Sequence, residues 1–252
     1  MCHENCPAPV SGGAGIDEAW VETPGAGRMI PGFFAKPEIE AKGAVVIAHD
    51  IHGANPFYQD LARRLAGEGY AALLPDLYAR QGPASDTSRE TSRARGGKLV
   101  QSEAVEDLAG SFGWLREQPG VGTGVGVVGF CMGGTLAMLV AAEESGPDAS
   151  VAFYGFPGNE PTDLRPRVPL AEASSLRVPF LGIWGDQDAG VGMDKVEAYR
   201  AALAEADRQF EFVVYPGPGH AFLTFDPDAD WYAEAQDAWA RTLAFFDAEF
   251  AG

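Results

Sequence analysis

Residues 125–134 read Val125-Gly126-Val127-Val128-Gly129-Phe130-Cys131-Met132-Gly133-Gly134. The apolar start has the character of a buried strand, and a segment at 133–144 that favours a helix follows at once. A cysteine between strand and helix, with glycine two residues before and two residues after it, is the pattern of a nucleophile elbow with cysteine in place of serine. In so sharp a turn a larger side chain at either glycine would collide with neighbouring backbone. The pattern predicts a Cys131 thiol above the sheet, at a helix N-terminus that favours the thiolate.

Apolar runs of strand length and amphipathic segments alternate along the rest of the chain. Alternation of this kind predicts an α/β fold, with a mostly parallel sheet and helices on both faces. A short strand at 33–35 is a further candidate, at an antiparallel edge of the sheet. The predicted strands are 45–48, 71–74, 125–128, 150–154, 180–184 and 212–215, and the predicted helices are 57–67, 102–117, 133–144, 193–206 and 230–249.

Two segments interrupt this alternation and are predicted to be loops. Residues 81–97 are rich in Ser, Arg and Gly, and residues 156–175 are rich in Pro and polar side chains. Long loops in a compact domain are often functional, and in open α/β sheets ligands bind outside the carboxyl ends of the strands. We therefore expect both loops to cross the top of the sheet and to shape a pocket.

An acid and a histidine follow Cys131 in the chain order that the elbow requires, each after a later strand. The strand at 180–184 leads into Gly185-Asp-Gln-Asp188, and the strand at 212–215 leads into Pro-Gly-Pro-Gly-His220. His220 is the candidate base, and an aspartate would hold its tautomer. The spacing leaves Asp186 and Asp188 in competition; we favour Asp188, with the other aspartate as a turn former. The alternatives without a catalytic role are that Cys131 is buried and inert and that His220 is a loop histidine that caps a backbone carbonyl.

The loop after the first buried strand reads His49-Asp50-Ile51-His52-Gly53. An oxyanion hole in such a site takes one backbone N–H from the residue after the nucleophile, Met132, and another from a loop of this kind, for which Ile51 is the candidate. A metal site built from the two histidines, Asp50 and His220 is the alternative. It is disfavoured because successive side chains at a strand end point in different directions.

The composition sets limits on partners and location. Of 252 residues, 46% are hydrophobic, and Asp plus Glu outnumber Lys plus Arg by 36 to 18 for a net charge of −18. Such a charge repels nucleic acid. The chain has neither an apolar run of membrane length nor the features of a secretory signal. We expect one domain over 1–252, with an N-terminal tail at 1–16, in the cytoplasm and away from membranes.

Three cysteines in a chain of this length do not form a disulfide framework. Cys2, His3 and Cys6 form a small cluster of metal-ligating types near the N-terminus, but no matching second half occurs elsewhere in the sequence. We expect no metal and no organic cofactor.

Taken together, these segments resemble the dienelactone hydrolase family, the cysteine hydrolases of the α/β-hydrolase superfamily. The resemblance covers most of the chain, and the elbow with cysteine and the Pro-Asp-Leu-Tyr run carry it best. The matching stretches are Val45-Val-Ile-Ala-His-Asp-Ile-His-Gly53, Gly69-Tyr-Ala-Ala-Leu-Leu-Pro-Asp-Leu-Tyr-Ala-Arg80, Gly129-Phe-Cys-Met-Gly-Gly134, Gly185-Asp-Gln-Asp188 and Gly219-His-Ala-Phe222.

The resemblance implies hydrolysis of a small ester or enol-lactone through an acyl-enzyme on Cys131, and it supports Asp188 over Asp186. It also implies that Asp50 tunes the nucleophile, because a glutamate that pairs with the resting thiol stands at this position in the family. A carboxylesterase or thioesterase on the same scaffold, or a non-catalytic binding protein, is the alternative.

Two positions that would contact substrate depart from the family pattern. His52 stands where the family often has an aromatic residue, and Ala221-Phe-Leu-Thr224 lacks the arginine that binds the substrate carboxylate. Another family arginine falls in the region of Arg89, Arg93 and Arg95. The resemblance makes His52 and Arg95 candidates for substrate binding; a solvated helix face is the alternative for the arginines.

Overall fold

The computed structural model describes residues 15–251, which contribute to one eight-stranded sheet flanked by helices. Short 3₁₀ helices lie at Ala79–Gln81 and Pro169–Ser175. The strands are β1 (Ile16–Gly25), β2 (Arg28–Pro37), β3 (Ala44–Ala48), β4 (Ala71–Pro75), β5 (Val125–Phe130), β6 (Ala149–Phe153), β7 (Phe180–Gly185) and β8 (Phe210–Tyr215). The helices are α1 (Pro56–Gly67), α2 (Arg89–Gly97), α3 (Gln101–Arg116), α4 (Met132–Val140), α5 (Met193–Glu205) and α6 (Tyr232–Phe250).

The strand order is β1-β2-β4-β3-β5-β6-β7-β8. Strands β1 and β2 are antiparallel to their neighbours, and β3 to β8 are parallel. From β3 the chain crosses to β4 on one side, whereas from β5 it continues to β6 on the other. The loops after β3 and β5 therefore diverge, and this switch point opens a crevice at the carboxyl ends of the strands.

The central strands read as continuous apolar runs because helices cover both faces of the sheet. Every residue of β3 to β7 is buried. Edge strand β8 is only half-buried, which agrees with its more polar composition. The predicted fold class and all six predicted strands are confirmed, with boundaries that shift by one or two residues; five of the six are buried as expected and the sixth, β8, is not.

The first part of the sheet differs from the sequence-based prediction. Residues 33–35 do lie in an antiparallel strand, but it is the ten-residue strand β2, which is paired on both sides, and the edge strand at this end of the sheet is β1. Strand β1 was missed because most of its side chains are exposed and give no clear alternation. Ile16, the last residue of the tail expected over 1–16, begins β1 and packs against the core.

The segment at 81–97, predicted as a loop, contains helix α2. Its N-cap is Ser88, whose side chain accepts a hydrogen bond from the Thr91 N–H. The helix lacks an apolar stripe because only Ser92 and Gly96 are buried, so hydrophobic periodicity does not reveal it. The closing helix α6, predicted over 230–249, buries Trp239 and Phe246 against the core.

Two further findings bear on metals and membranes. The Cys2, His3 and Cys6 cluster lies outside the described residues, and residues 15–251 contain no group of three or more His, Cys, Asp or Glu side chains placed to hold a metal. Among the described helices, none has the length and apolar character needed to cross a bilayer.

Candidate active site

The elbow between β5 and α4 holds Cys131 in a strained backbone conformation, with φ 56° and ψ −114°. A Cβ added to Gly129 would lie 2.1 Å from the Gly133 carbonyl oxygen, and one added to Gly133 would lie 1.9 Å from the Ala48 carbonyl oxygen. Both distances are far inside van der Waals contact. The glycines flanking Cys131 are therefore required by the close approach of backbone, as the sequence pattern predicts.

The Cys131 side chain lines a cavity of about 1070 Å³ above the carboxyl ends of the strands. The residue is 5% exposed, so the cavity is its route to a ligand. Its backbone N–H donates to the Phe153 carbonyl at 3.0 Å, which anchors the elbow to β6. Helix α4 begins at the next residue, so its first N–H groups and the positive end of its dipole lie beside the sulfur.

Asp188 and His220 meet in the same cavity from the loops after β7 and β8. The Nδ1 of His220 lies 2.6 Å from Asp188 Oδ2. The other carboxylate oxygen, Oδ1, accepts the backbone N–H groups of Gly190 and Val191, each at 3.1 Å. With both oxygens engaged, the carboxylate accepts the Nδ1–H of His220, which leaves Nε2 as the basic nitrogen of the ring.

Asp186 has a separate task. Its Oδ1 accepts the Gly217 N–H at 2.7 Å, a bond that joins the loop after β7 to the loop after β8. Asp186 is exposed, whereas Asp188 is buried. The structure thus gives the imidazole to Asp188 and a backbone contact to Asp186, as the sequence analysis favoured.

Aromatic rings support the imidazole of His220. Tyr154 contacts it edge-on at a centroid distance of 5.1 Å, and Phe156 lies 5.5 Å away. Thr135 Oγ1 accepts the Phe156 N–H at 2.9 Å and thereby attaches this segment to α4. Sequence analysis missed Thr135 and Phe156, although Thr135 lies one helical turn after Cys131 and hence on the same face of α4.

The two predicted oxyanion donors, Ile51 and Met132, both line the cavity. Ile51 lies in a turn at 50–53, closed by a 3.2 Å bond from the Gly53 N–H to the Asp50 carbonyl. Within the described part of the chain, no backbone carbonyl accepts the N–H of Ile51 or Met132 outside regular secondary structure. Both positions are compatible with donation to a ligand.

Asp50 is buried in the same neighbourhood as Cys131. One carboxylate oxygen accepts the His52 N–H at 2.8 Å. The hydroxyl of Tyr58 lies close to both residues: burial, followed by the negative charge of Asp50, raises the pKa of Tyr58 well above its usual value, and Cys131 adds to the effect. Asp50 and Cys131 thus act on the same buried hydroxyl group.

His49 is a structural residue. Its Nε2 accepts the Leu77 N–H at 3.2 Å, so its Nδ1 carries the proton and donates to the Asp50 carbonyl at 2.7 Å. Burial lowers its pKa and favours the neutral ring. Because both nitrogens are used within the protein, His49 is not available as a metal ligand, which agrees with the preference against a metal site here.

The structure does not bring His52 or Arg95 to the cavity wall, so neither of these candidate substrate contacts is supported by its position. The His52 ring turns to Ser92 of α2, with 2.8 Å between Nδ1 and Oγ. The Arg95 guanidinium donates to the Gly82 carbonyl at 2.6 Å and lies over the Tyr78 ring at 4.8 Å.

Other arginines do line the cavity. Arg89 and Arg93 lie one helical turn apart on α2, and no ion pair joins either to another described residue. Arg167 is neutralised by Glu143 and Glu172, each at 2.6 Å.

Both segments that were predicted to shape the pocket do so. Segment 81–97 supplies Arg89, Arg93 and Gly97, and segment 156–175 supplies the wall from Phe156 to Pro169. Gln101, which sequence analysis missed, clamps the second segment: its side chain accepts the Arg167 N–H at 2.9 Å and donates to the Arg167 carbonyl at 3.0 Å.

Cys131 in its strained turn and the hydrogen-bonded pair of Asp188 and His220 share one cavity above a mostly parallel sheet. Comparison with known proteins shows the family to which this chain belongs. The model of the dienelactone hydrolase family matches residues 30–250. The chain belongs to the dienelactone hydrolase family. Carboxymethylenebutenolidase from Rhodococcus opacus is 32% identical over 250 residues, which cover 98% of this chain and 96% of that protein.

Other members of the dienelactone hydrolase family agree. A Yersinia pestis protein with the provisional name carboxymethylenebutenolidase is 35% identical over 228 residues, covering 88% of this chain and 85% of its own. A solved structure from Klebsiella pneumoniae, provisionally named a dienelactone hydrolase, superposes with a TM-score of 0.83 at 32% identity and covers 92% of this chain and 98% of its own. The resemblance drawn from the sequence motifs is confirmed.

Proposed function

We propose that this protein hydrolyses a small ester or enol-lactone in the manner of a carboxymethylenebutenolidase, through an acyl-enzyme on Cys131. One observation carries the proposal: Cys131 and the hydrogen-bonded pair of Asp188 and His220 line a single cavity. Membership in the dienelactone hydrolase family supports it.

In the first half-reaction the Cys131 sulfur attacks the substrate carbonyl carbon and its proton passes to His220 Nε2. The carbonyl oxygen becomes an oxyanion, which accepts the N–H groups of Ile51 and Met132. When the tetrahedral intermediate collapses, the C–O bond breaks and His220 returns the proton to the leaving alcohol or enol. The product of this step is a thioester on Cys131.

In the second half-reaction water attacks the thioester while His220 Nε2 takes one of its protons. The C–S bond breaks, the carboxylic acid leaves, and the thiolate with protonated His220 completes the cycle. Asp188 keeps the imidazole in the Nδ1–H tautomer and stabilises the imidazolium in both steps. Asp50 is buried and, like Cys131, acts electrostatically on Tyr58; we assign it the role of tuning the resting thiol.

Arg89 and Arg93 favour an anionic substrate. Both cations line the cavity and have no ion-pair partner within residues 15–251, in a protein where acids outnumber bases by 36 to 18. An unpaired guanidinium at a cavity wall is suited to a carboxylate. These residues replace Arg95 as our candidates for the role of the family arginine that residues 221–224 lack.

A carboxylesterase or thioesterase for uncharged substrates is the second candidate. The observation that favours it is the apolar part of the wall, to which Leu99, Leu136, Phe156 and the half-exposed Leu164 contribute. Rates on a carboxylated lactone and on a neutral aryl ester separate the two. Arg93→Gln should raise KM for the lactone about tenfold and leave KM for the neutral ester unchanged.

The test of hydrolysis itself is Cys131→Ala, which should lower kcat/KM on both substrates by at least about 10³-fold. The matched control replaces Cys2 and Cys6 with alanine, which removes the other two thiols and should leave the rate unchanged. Mass spectrometry of the quenched wild-type enzyme should find the acyl group on Cys131. Full activity in Cys131→Ala would refute the proposal, because hydrolysis would then not depend on the Cys131 sulfur.

A further inference from the structure

The side chain of His52 joins the turn at 50–53 to helix α2, and we propose that its bond to Ser92 positions the Ile51 N–H for the oxyanion. His52 is on this reading a positioning residue, and the inference rests on the proposed hydrolysis. It concerns a residue that sequence analysis placed against the substrate and that the structure turns toward α2 instead.

The direction of the hydrogen bond is set by the surroundings of Ser92. Its Oγ donates to the Ser88 carbonyl at 3.0 Å, which uses the one hydroxyl proton. The same Oγ therefore accepts the Nδ1–H of His52 at 2.8 Å. Ser92 is 6% exposed, so this bond is shielded from water and holds more firmly than a surface contact.

Bonds within the turn hold the residues on either side of Ile51. The His52 N–H donates to Asp50 Oδ1 at 2.8 Å, and the Gly53 N–H donates to the Asp50 carbonyl. These local bonds shape the turn, but they do not tie it to another element. The bond from the His52 ring to Ser92 does so, one residue after the proposed oxyanion donor.

A second contact shows how closely α2 approaches that donor. A Cβ added to Gly96 would lie 3.0 Å from Ile51 Cγ2, so the helix backbone packs directly on the Ile51 side chain. Ser92 and Gly96 are four residues apart and hence share one face of α2. This face meets the turn at two neighbouring points, and a shift of the helix would move Ile51.

Catalysis is sensitive to such a shift because an oxyanion donor acts only when it is already in place. Loss of a whole donor costs about 10² to 10³ in kcat, so partial misplacement of the Ile51 N–H should cost about tenfold. The effect should appear in kcat and not in KM, because the donor binds the oxyanion more strongly than the ground-state carbonyl.

The experiment measures kcat and KM on a neutral aryl ester. Arg89 and Arg93 also lie on α2, and an uncharged substrate keeps any movement of these two cations from affecting the result. Ser92→Ala and His52→Phe both remove the bond and should lower kcat about tenfold, with KM within about twofold. His52→Asn keeps an N–H near the position of Nδ1 and should restore most of kcat. The matched control is Thr91→Ala, on the same helix but away from the turn, which should match the wild type.

Two further measurements make the result decisive. If the bond acts as a unit, the double variant His52→Phe/Ser92→Ala should lose no more activity than the worse single variant. Alkylation of Cys131 by iodoacetamide, followed on its peptide by mass spectrometry, needs no oxyanion hole and should proceed at the wild-type rate in all variants with a wild-type melting temperature.

The inference is overturned if Ser92→Ala retains wild-type kcat, if the losses in the double variant multiply, or if alkylation of Cys131 slows in step with kcat. The last result would assign the bond to the integrity of the whole site. Failure of the proposed function looks different, since Cys131→Ala would then hydrolyse the ester as fast as the wild type.

Discussion

Replacement of Asp188 by asparagine tests the arrangement of the proposed base most directly. The carboxylate holds two backbone N–H groups on Oδ1 and the His220 imidazole on Oδ2. In Asp188→Asn only one orientation avoids a clash of N–H groups: the amide oxygen faces Gly190 and Val191, and the amide nitrogen faces His220. The imidazole must then present a lone pair at Nδ1 and carry its proton on Nε2, which is the wrong tautomer for a base.

The size of the loss follows from the charge that is removed. A carboxylate and an imidazolium whose centres are about 4 Å apart attract each other by about 4 kcal/mol at an effective dielectric constant of about 20. At about 1.4 kcal/mol for each factor of ten, this corresponds to a fall of about 10³ in kcat/KM. Stability should change little, because the two backbone hydrogen bonds remain.

The assay is steady-state hydrolysis of a neutral aryl ester, with the melting temperature measured on the same samples. Asp186→Asn is the matched control, since it makes the same chemical change two residues away, on a side chain bonded to the Gly217 N–H. It should alter kcat/KM by less than about threefold. A greater loss in Asp186→Asn than in Asp188→Asn, or near-wild-type activity in Asp188→Asn, would refute the assignment of the acid.

Three further predictions concern stability. Gly133→Ala would place a Cβ 1.9 Å from the Ala48 carbonyl oxygen, and it should lower the free energy of unfolding by about 3 kcal/mol or prevent folding. The control Gly113→Ala in α3, which has open space around it, should raise the free energy of unfolding by about 0.5–1 kcal/mol. Urea titration measures both, and equal effects would count against the close approach at the elbow. Gln101→Ala should cost about 1 kcal/mol by the same measurement, because the half-buried N–H and carbonyl groups of Arg167 lose their hydrogen bonds to the side chain. An unchanged midpoint would contradict the clamp. Burial lowers the pKa of His49, so at pH values below its unfolded pKa of about 6.5 the unfolded chain binds more protons than the folded protein, and the free energy of unfolding falls as the pH falls. His49→Asn should therefore flatten the plot of the free energy of unfolding against pH between about pH 5 and 7. Equal slopes for variant and wild type would refute this assignment.

The alternation of apolar runs was sufficient to predict the parallel core, because strands buried on both faces carry an apolar side chain at nearly every position. The same argument explains what was missed. The exposed side chains of β1 show no clear alternation, and α2 buries only Ser92 and Gly96. Neither element has a hydrophobic face for a periodicity analysis to detect.

The elbow and the candidate acid and base could be proposed from the sequence because each depends on a short stretch of residues directly after a strand. A sharp turn needs glycine at 129 and 133, and the acid and base follow later strands in a set order. Contacts of long side chains were not recognisable. Arg95 and Arg93 are two residues apart on one helix, yet one donates to the Gly82 carbonyl and the other lines the cavity.

The amino-acid sequence alone was therefore enough for the fold class, and it was enough to propose Cys131 as nucleophile and His220 as base, since these inferences depend on backbone sterics, on the burial of apolar strands and on the order of the elements. Tertiary structure decided which aspartate meets His220, where the His52 ring turns and which arginines face the cavity. Those outcomes depend on directions and distances between loops that are far apart in the chain, and a hydrogen bond that is 2.6 Å long in the folded protein leaves no mark on the spacing of its two residues.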